Sequence, residues 1–187
     1  NYTGAVIKWV VEELRLLASS KEAGPVARSA DPADTTYLVP AFTGLGAPYW
    51  DSEAKAMLTG MSRTTGRAEI VKAAEECIAY QIADVLALMG QEADVSIQEL
   101  RVDGGPTRDG FLMQFQSDML RLSVAVPERE ELSGMGAAFC AGIAAGIYSR
   151  DRRTRYSPQM EGALRQQKQA GWKQAVETLL TRPGKNV

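Results

Sequence analysis

Four consecutive residues offer the clearest opening for chemistry: Val102, Asp103, Gly104 and Gly105. They close a short apolar run and precede a helical pattern. Glycines at such a strand-to-helix turn let backbone amides approach an anionic or flat ligand without obstruction. A nucleotide suits such a turn. A tight connection with no ligand would use the same residues, so the motif takes its meaning from its surroundings. Asp103 could serve as a general base or a magnesium ligand, but its place at a strand end suits capping of its own turn, and that is the reading adopted.

Other chemistry is limited by what the chain lacks. Its 187 residues contain no histidine, which removes Ser/His and Cys/His pairs and, with only two cysteines, argues against a zinc site. Cys77 and Cys140 each fall in an apolar helical stretch. They are expected to be buried packing thiols in a protein of the reducing cytoplasm. The 21 basic and 23 acidic residues are interspersed, for a net charge of −2. No extended basic face is available to a phosphate backbone, and nucleic acid is not expected as a partner. No apolar run approaches the roughly twenty residues of a membrane span. A hydrophobic content of 45% therefore indicates one globular domain or part of a larger one. The opening residues NYTGAVIKWV carry no initiator methionine or signal-like pattern and are helical in spacing by Trp9. The chain is thus expected to begin inside a larger protein.

Several elements must position the glycine turn. Val6, Trp9, Val10, Leu14 and Leu17 recur at helical spacing. Residues 25–35 are aperiodic, and Tyr37, Leu38 and Val39 read as a short buried strand cut by Pro40. The segment FTGLGAPYWD (42–51) holds two glycines, a proline and three aromatics, so packing must order it as a loop. For Phe42, Tyr49 and Trp50 the choice lies between a cleft wall and a loop supporting the sheet, and the second is adopted. A short apolar segment at 56–61 precedes a helix over 68–89 with Ile70, Ala73, Cys77, Gln81, Val85 and Met89 along one stripe. Residues 99–102 form a strand, Phe111, Leu112, Phe115 and Met119 mark a helix, and residues 122–126 form a second strand. Strand, helix, strand predicts a right-handed parallel crossover and an α/β fold. The Gly/Ala-rich run at 134–146 is expected to be a closely packed helix. The arginines at 150, 152, 153 and 155 are read as a solvated connection, followed by a helix over 164–180 that carries Trp172, Val176 and Leu179.

The segments VPAFTGLGAPYWD (39–51), ECIAYQIADVL (76–86), LRVDGG (100–105) and FLMQFQSDML (111–120) resemble the glycerol kinases of the FGGY group of sugar kinases, in order and in separation. AMLTGM (56–61) with EIVKAAEE (69–76) is similar to a second signature of the group, from which Glu75 departs, because an apolar residue is usual there. The resemblance runs from about Tyr2 to Trp172. It implies an actin-like, ribonuclease-H-type fold of which this chain is most of the second, C-terminal domain, incomplete at its start, with a helical tail from about residue 150. It implies ATP or ADP in the cleft between two domains, with Mg2+ brought on the phosphates and phosphoryl transfer on cleft closure.

By position, the group's nucleoside contacts fall on Gly4, Lys8, Gly105 and Asp109. Lys8 and Asp109 replace the usual glutamine and asparagine with opposite charges. An ion pair between them and two solvated side chains are both compatible with the sequence. The residues that bind glycerol, deprotonate it and hold the phosphates precede Asn1 in the group, so neither a catalytic residue nor a metal ligand is assigned to this chain. Glycerol would be bound by the preceding domain, and the complete protein is expected to be a homo-oligomer. Unpaired sheet edge and exposed apolar surface are expected to make the isolated chain dimerise or be poorly soluble. Some bacterial glycerol kinases bind a sugar-transport phosphocarrier near the segment matching 158–169, but SPQMEGALRQQ departs from that pattern and the partner is not predicted. Two alternatives stay open: an FGGY kinase for another polyol or a ketose, and a non-catalytic nucleotide-binding or interaction module.

Overall fold

The computed structural model describes residues 2–93, 97–127, 132–145 and 153–180. Helix α1 spans Gly4–Glu12, α2 Ala23–Arg28, α3 Arg67–Ala93, α4 Gly110–Leu120, α5 Leu132–Ala144 and α6 Gly162–Leu179. Strands β1 (Tyr37–Val39) and β2 (Met57–Thr59) form an antiparallel pair. Strands β3 (Glu99–Arg101), β4 (Ser123–Pro127) and β5 (Arg153–Tyr156) form a second sheet with β4 in the middle. β3 and β4 run parallel across α4 as expected, with Leu100 opposite Val124, and β5 runs antiparallel to β4.

Helix α3 is the axis of the molecule. Every residue from 71 to 81 is buried, the charged Lys72, Glu75 and Glu76 included, so this stretch is enclosed on all faces rather than along one stripe. Met89, at the far end of the expected stripe, is exposed because the helix there runs beyond the core. Val6 and Val10 of α1, Val39 of β1, Leu112 and Met119 of α4, Val124 of β4 and Val176 of α6 close the core around it. Tyr80 lies at its centre, stacked on Trp172 at 5.1 Å and edge-on to Phe115 at 5.4 Å. Two internal cations are accounted for: Lys168 Nζ lies 2.7 Å from Glu76 Oε1, and Lys72 Nζ donates to the carbonyls of Asp31 and Asp34.

Four expectations need correction. The stretch 25–35, read as aperiodic, begins inside α2, whose Pro25 occupies the first turn, where its missing N–H costs nothing. Strand β5 lies where a solvated connection and a helical tail were expected; its pairing to β4 overrides the weak local signal of RTRY, and Arg155 bonds Glu99 at 3.1 Å. The arginines at 150 and 152 lie outside the described residues. The Gly/Ala-rich segment is helical, yet Gly136, Ala137 and Ala138 are exposed, and a Cβ on Gly136 would meet nothing within 4 Å. Cys140 is likewise exposed, whereas Cys77 is buried and its thiol is pushed up by burial. Small side chains permit close packing but do not enforce it.

The aromatic loop is held by its own backbone. Leu45 and Asp51 exchange two hydrogen bonds, and the Asp51 carboxylate accepts from the amides of Glu53 and Ala54. Phe42 packs against Tyr2 and Trp9, while Tyr49 Oη donates to Asp84 at 2.9 Å, a polar partnership the sequence reading did not foresee. Trp50 projects, 77% exposed.

Just after β2, Gly60 adopts φ +76°, and a Cβ there would stand 2.1 Å from the carbonyl oxygen of Thr35. Gly60→Ala combines a left-handed backbone with a backbone clash, so a loss of about 2–4 kcal/mol is expected in urea unfolding. A loss under about 0.5 kcal/mol would show that the β1–β2 ribbon yields freely.

Candidate nucleoside site

The glycine turn follows directly from the β3–β4 pairing. Val102 N continues the ladder to the carbonyl of Ala125, and the chain then breaks at Gly104, with φ +93° and ψ 175°. That conformation is essentially confined to glycine. A short 3-10 turn over Gly105–Arg108 follows, in which the amide and hydroxyl of Thr107 both donate to the carbonyl of Gly104. Thr107, rather than the exposed Asp103, fastens the turn.

Asp109 then caps α4, its carboxylate accepting from Phe111 N at 2.8 Å. This is the ordinary use of an aspartate at a helix start. The same carboxylate fills the space beside Gly24 of α2: a Cβ on Gly24 would lie 2.2 Å from Asp109 Oδ1. Sequence reasoning missed Gly24, because nothing in AGPVAR signals what stands opposite it.

The first turn of α1 meets this turn from the other side. A Cβ on Gly4 would lie 3.6 Å from Pro106 Cγ, so two segments a hundred residues apart in sequence form adjoining walls. The residues before α1 are tethered to α3 by Gln81, which accepts from Tyr2 N and donates to the Tyr2 carbonyl. Gly105 is exposed, and a Cβ on it would meet no atom within 4 Å. The turn is thus shaped by Gly104, and Gly105 leaves the space in front of it free.

Lys8 lies one helical turn beyond Gly4 on the same face of α1. It pairs with Glu12 at 3.8 Å in an exposed i,i+4 arrangement, and no ion pair joins it to Asp109, which is occupied at the α4 cap. Beside the cap, the Arg28 guanidinium of α2 lies 5.9 Å from the centre of the Phe111 ring, a neighbour the sequence reading also missed. Gly4, Gly105 and Asp109 are brought together around the β3–α4 turn, with Lys8 at the margin.

An exposed glycine turn between parallel strands, walled by the start of a second helix, is the form of a nucleotide-binding α/β domain. Residues 1–145 match the model of the FGGY family of carbohydrate kinases, C-terminal domain, and the chain belongs to that family. It is 44% identical over 182 residues to a glycerol kinase of Brachyspira hyodysenteriae, covering 93% of this chain and 37% of that protein. It is 40% identical over 185 residues to a glycerol kinase of Bacillus velezensis, covering 95% of this chain and 37% of that protein. Among solved structures, it matches the glycerol kinase of Plasmodium falciparum with ADP at a TM-score of 0.86 and 29% identity, over 96% of this chain and 37% of that one. A xylulose kinase of Lactobacillus acidophilus shares the fold at a TM-score of 0.75 and 19% identity, over 94% of this chain and 37% of that one. The fold is therefore the actin-like fold of sugar kinases, and the chain spans about 37% of the length of the curated relatives it matches.

Among the described residues, no helix is long and apolar enough to cross a membrane.

Proposed function

We propose that the protein to which this chain belongs transfers the γ-phosphate of ATP to glycerol, and that this chain grips the nucleoside end of the nucleotide. The observation that carries the reading is the meeting of Gly4 with the Gly104–Pro106 turn in front of an unobstructed Gly105. Relatives more than 40% identical named glycerol kinase, and a glycerol kinase structure holding ADP on the same fold, support it.

In this reading Gly4 and Gly105 admit the flat adenosine against backbone, Asp109 fixes the start of α4 beneath it, and Lys8 lies at the outer margin. The chemistry is positioning and charge neutralisation, with Mg2+ carried on the β and γ phosphates. The proposal assigns the ion to the phosphates and names no metal ligand in this chain. Acceptor binding and proton removal fall to the remainder of the protein, which we expect to be a cytoplasmic homo-oligomer.

The test is ADP release from ATP by the full-length protein, measured with glycerol, xylulose and gluconate in parallel. Glycerol should give the highest kcat/KM. A preference for either sugar-derived acceptor would replace glycerol while leaving the nucleoside site in place.

A further inference from the structure

Gln81 is the polar member of the stripe that the sequence marks along α3, and the proposed function leaves it without a part. It is 8% exposed and ends the stretch of α3 that the core encloses. Its carboxamide reaches the residues before α1: Oε1 accepts from Tyr2 N at 3.0 Å, and Nε2 donates to the Tyr2 carbonyl at 2.9 Å. Nε2 also donates to the carbonyl of Cys77, one turn back on its own helix, at 3.1 Å. With two carbonyls facing Nε2, the amide has one orientation that satisfies every partner. One side chain thus makes with Tyr2 the paired bonds that a neighbouring strand would make.

This clamp sits where α1 has little hold of its own. Thr3 is its N-cap, yet the Thr3 side chain makes no capping bond, and the first turn carries no acid. Val6, Ile7 and Val10 are buried against the core, but apolar contact is non-directional and resists sliding along the helix axis only weakly. The directional bonds at Tyr2 supply what is missing. The Tyr2 side chain adds a second hold, with Oη 2.8 Å from Thr43 Oγ1 and the ring edge-on to Phe42. Gly4 follows two residues after the clamp, where a Cβ would lie 3.6 Å from Pro106 Cγ. Sliding α1 by one residue, a rise of about 1.5 Å, would therefore change the spacing of the two walls.

We propose that Gln81 is a positioning residue for the nucleoside site: its two-way bond to the Tyr2 backbone sets Gly4 in place against the Gly104–Pro106 turn, from the central helix of the chain. The inference rests on the nucleoside reading above, and in it Gln81 acts only through Tyr2 and Gly4. Methionine at position 81 keeps the length and loses both bonds. Glutamate keeps an acceptor for Tyr2 N but sets a carboxylate against two carbonyl oxygens.

Steady-state kinetics of the full-length protein test this, with ATP and the acceptor of highest kcat/KM each varied at saturation of the other. Gln81→Met and Gln81→Glu should each raise KM for ATP roughly tenfold and change kcat and the acceptor KM less than about twofold, because the displaced wall serves the nucleotide alone. Two controls accompany them, with thermal midpoints read on every variant. Trp172→Phe removes a buried hydrogen bond elsewhere in the core and should lower the midpoint without moving KM for ATP. Gly105→Val should raise KM for ATP. An unchanged KM for ATP in Gln81→Met, beside a raised one in Gly105→Val, overturns the positioning role and leaves the nucleoside reading standing. An equal rise in both KM values, or the same rise in Trp172→Phe, makes Gln81 a matter of core stability and overturns the role as well. A native KM for ATP in Gln81→Glu overturns the two-way clamp. No effect of Gly105→Val on KM for ATP overturns the nucleoside reading, and the positioning role with it.

Discussion

Gly105→Val is expected to leave the chain folded and to weaken ADP binding by roughly a hundredfold or more, a loss near 3 kcal/mol. The two halves of that expectation have separate grounds. Gly105 is not among the glycines with positive φ, and a Cβ on it meets nothing within 4 Å, so valine can be built without strain against the protein. The branched side chain would instead project into the free space in front of the turn, where the proposed function brings the nucleoside against the backbone. Gly104→Val is the contrasting control: its φ of +93° makes any side chain there a backbone defect, so loss of binding would be accompanied by loss of stability. Unfolding curves and calorimetry on both variants separate the two causes. If Gly105→Val binds ADP as the native chain does, the nucleoside does not approach through this turn.

Trp172→Ala should be the most damaging change in the α6 contact, costing about 3–5 kcal/mol in urea or thermal unfolding. Trp172 is 3% exposed, stacks on Tyr80 with an interplanar angle of 14°, and donates from Nε1 to Asp84 Oδ2 at 2.7 Å. Truncation empties the space against Tyr80. It also takes away one of the two donors to Asp84, whose pKa burial raises and these bonds hold down, with Tyr49 as the other. Trp172→Phe keeps most of the stack and loses only the indole N–H, so it should cost about 1–2 kcal/mol. A Trp172→Ala loss under about 1 kcal/mol would mean that α6 rests on the core without contributing to it.

The aromatic cluster shows how unevenly the fold can be read from the chain. Spacing alone located Trp172 on a helix and Tyr80 within the long one. That the two rings stack, and that a single carboxylate on α3 ties together the 42–51 loop and α6, depends on contacts 35 and 88 residues apart in sequence. Strand β5 had the weakest local signal and exists because β4 offers it an edge. The exposure of Cys140 is the converse case, because a composition that suits a buried helix cannot say whether anything covers it.

The site divides along the same line. By itself the sequence determined the strand, glycine turn and helix around Gly104 and Gly105, because glycine and hydrophobic periodicity act over a few neighbouring residues. It also supplied the family resemblance that singled out Gly4, Lys8 and Asp109. Only the tertiary structure decided which of these meet. Gly4 reaches Pro106 because α1 packs on the same core as α4, Lys8 turns to Glu12 because its own helix supplies the nearest acid, and Asp109 is taken up as a cap against Gly24. The enclosure of Glu75, with its Oε2 left without a partner among the described residues, was equally invisible, since burial depends on everything that surrounds a side chain and on little that adjoins it in the chain.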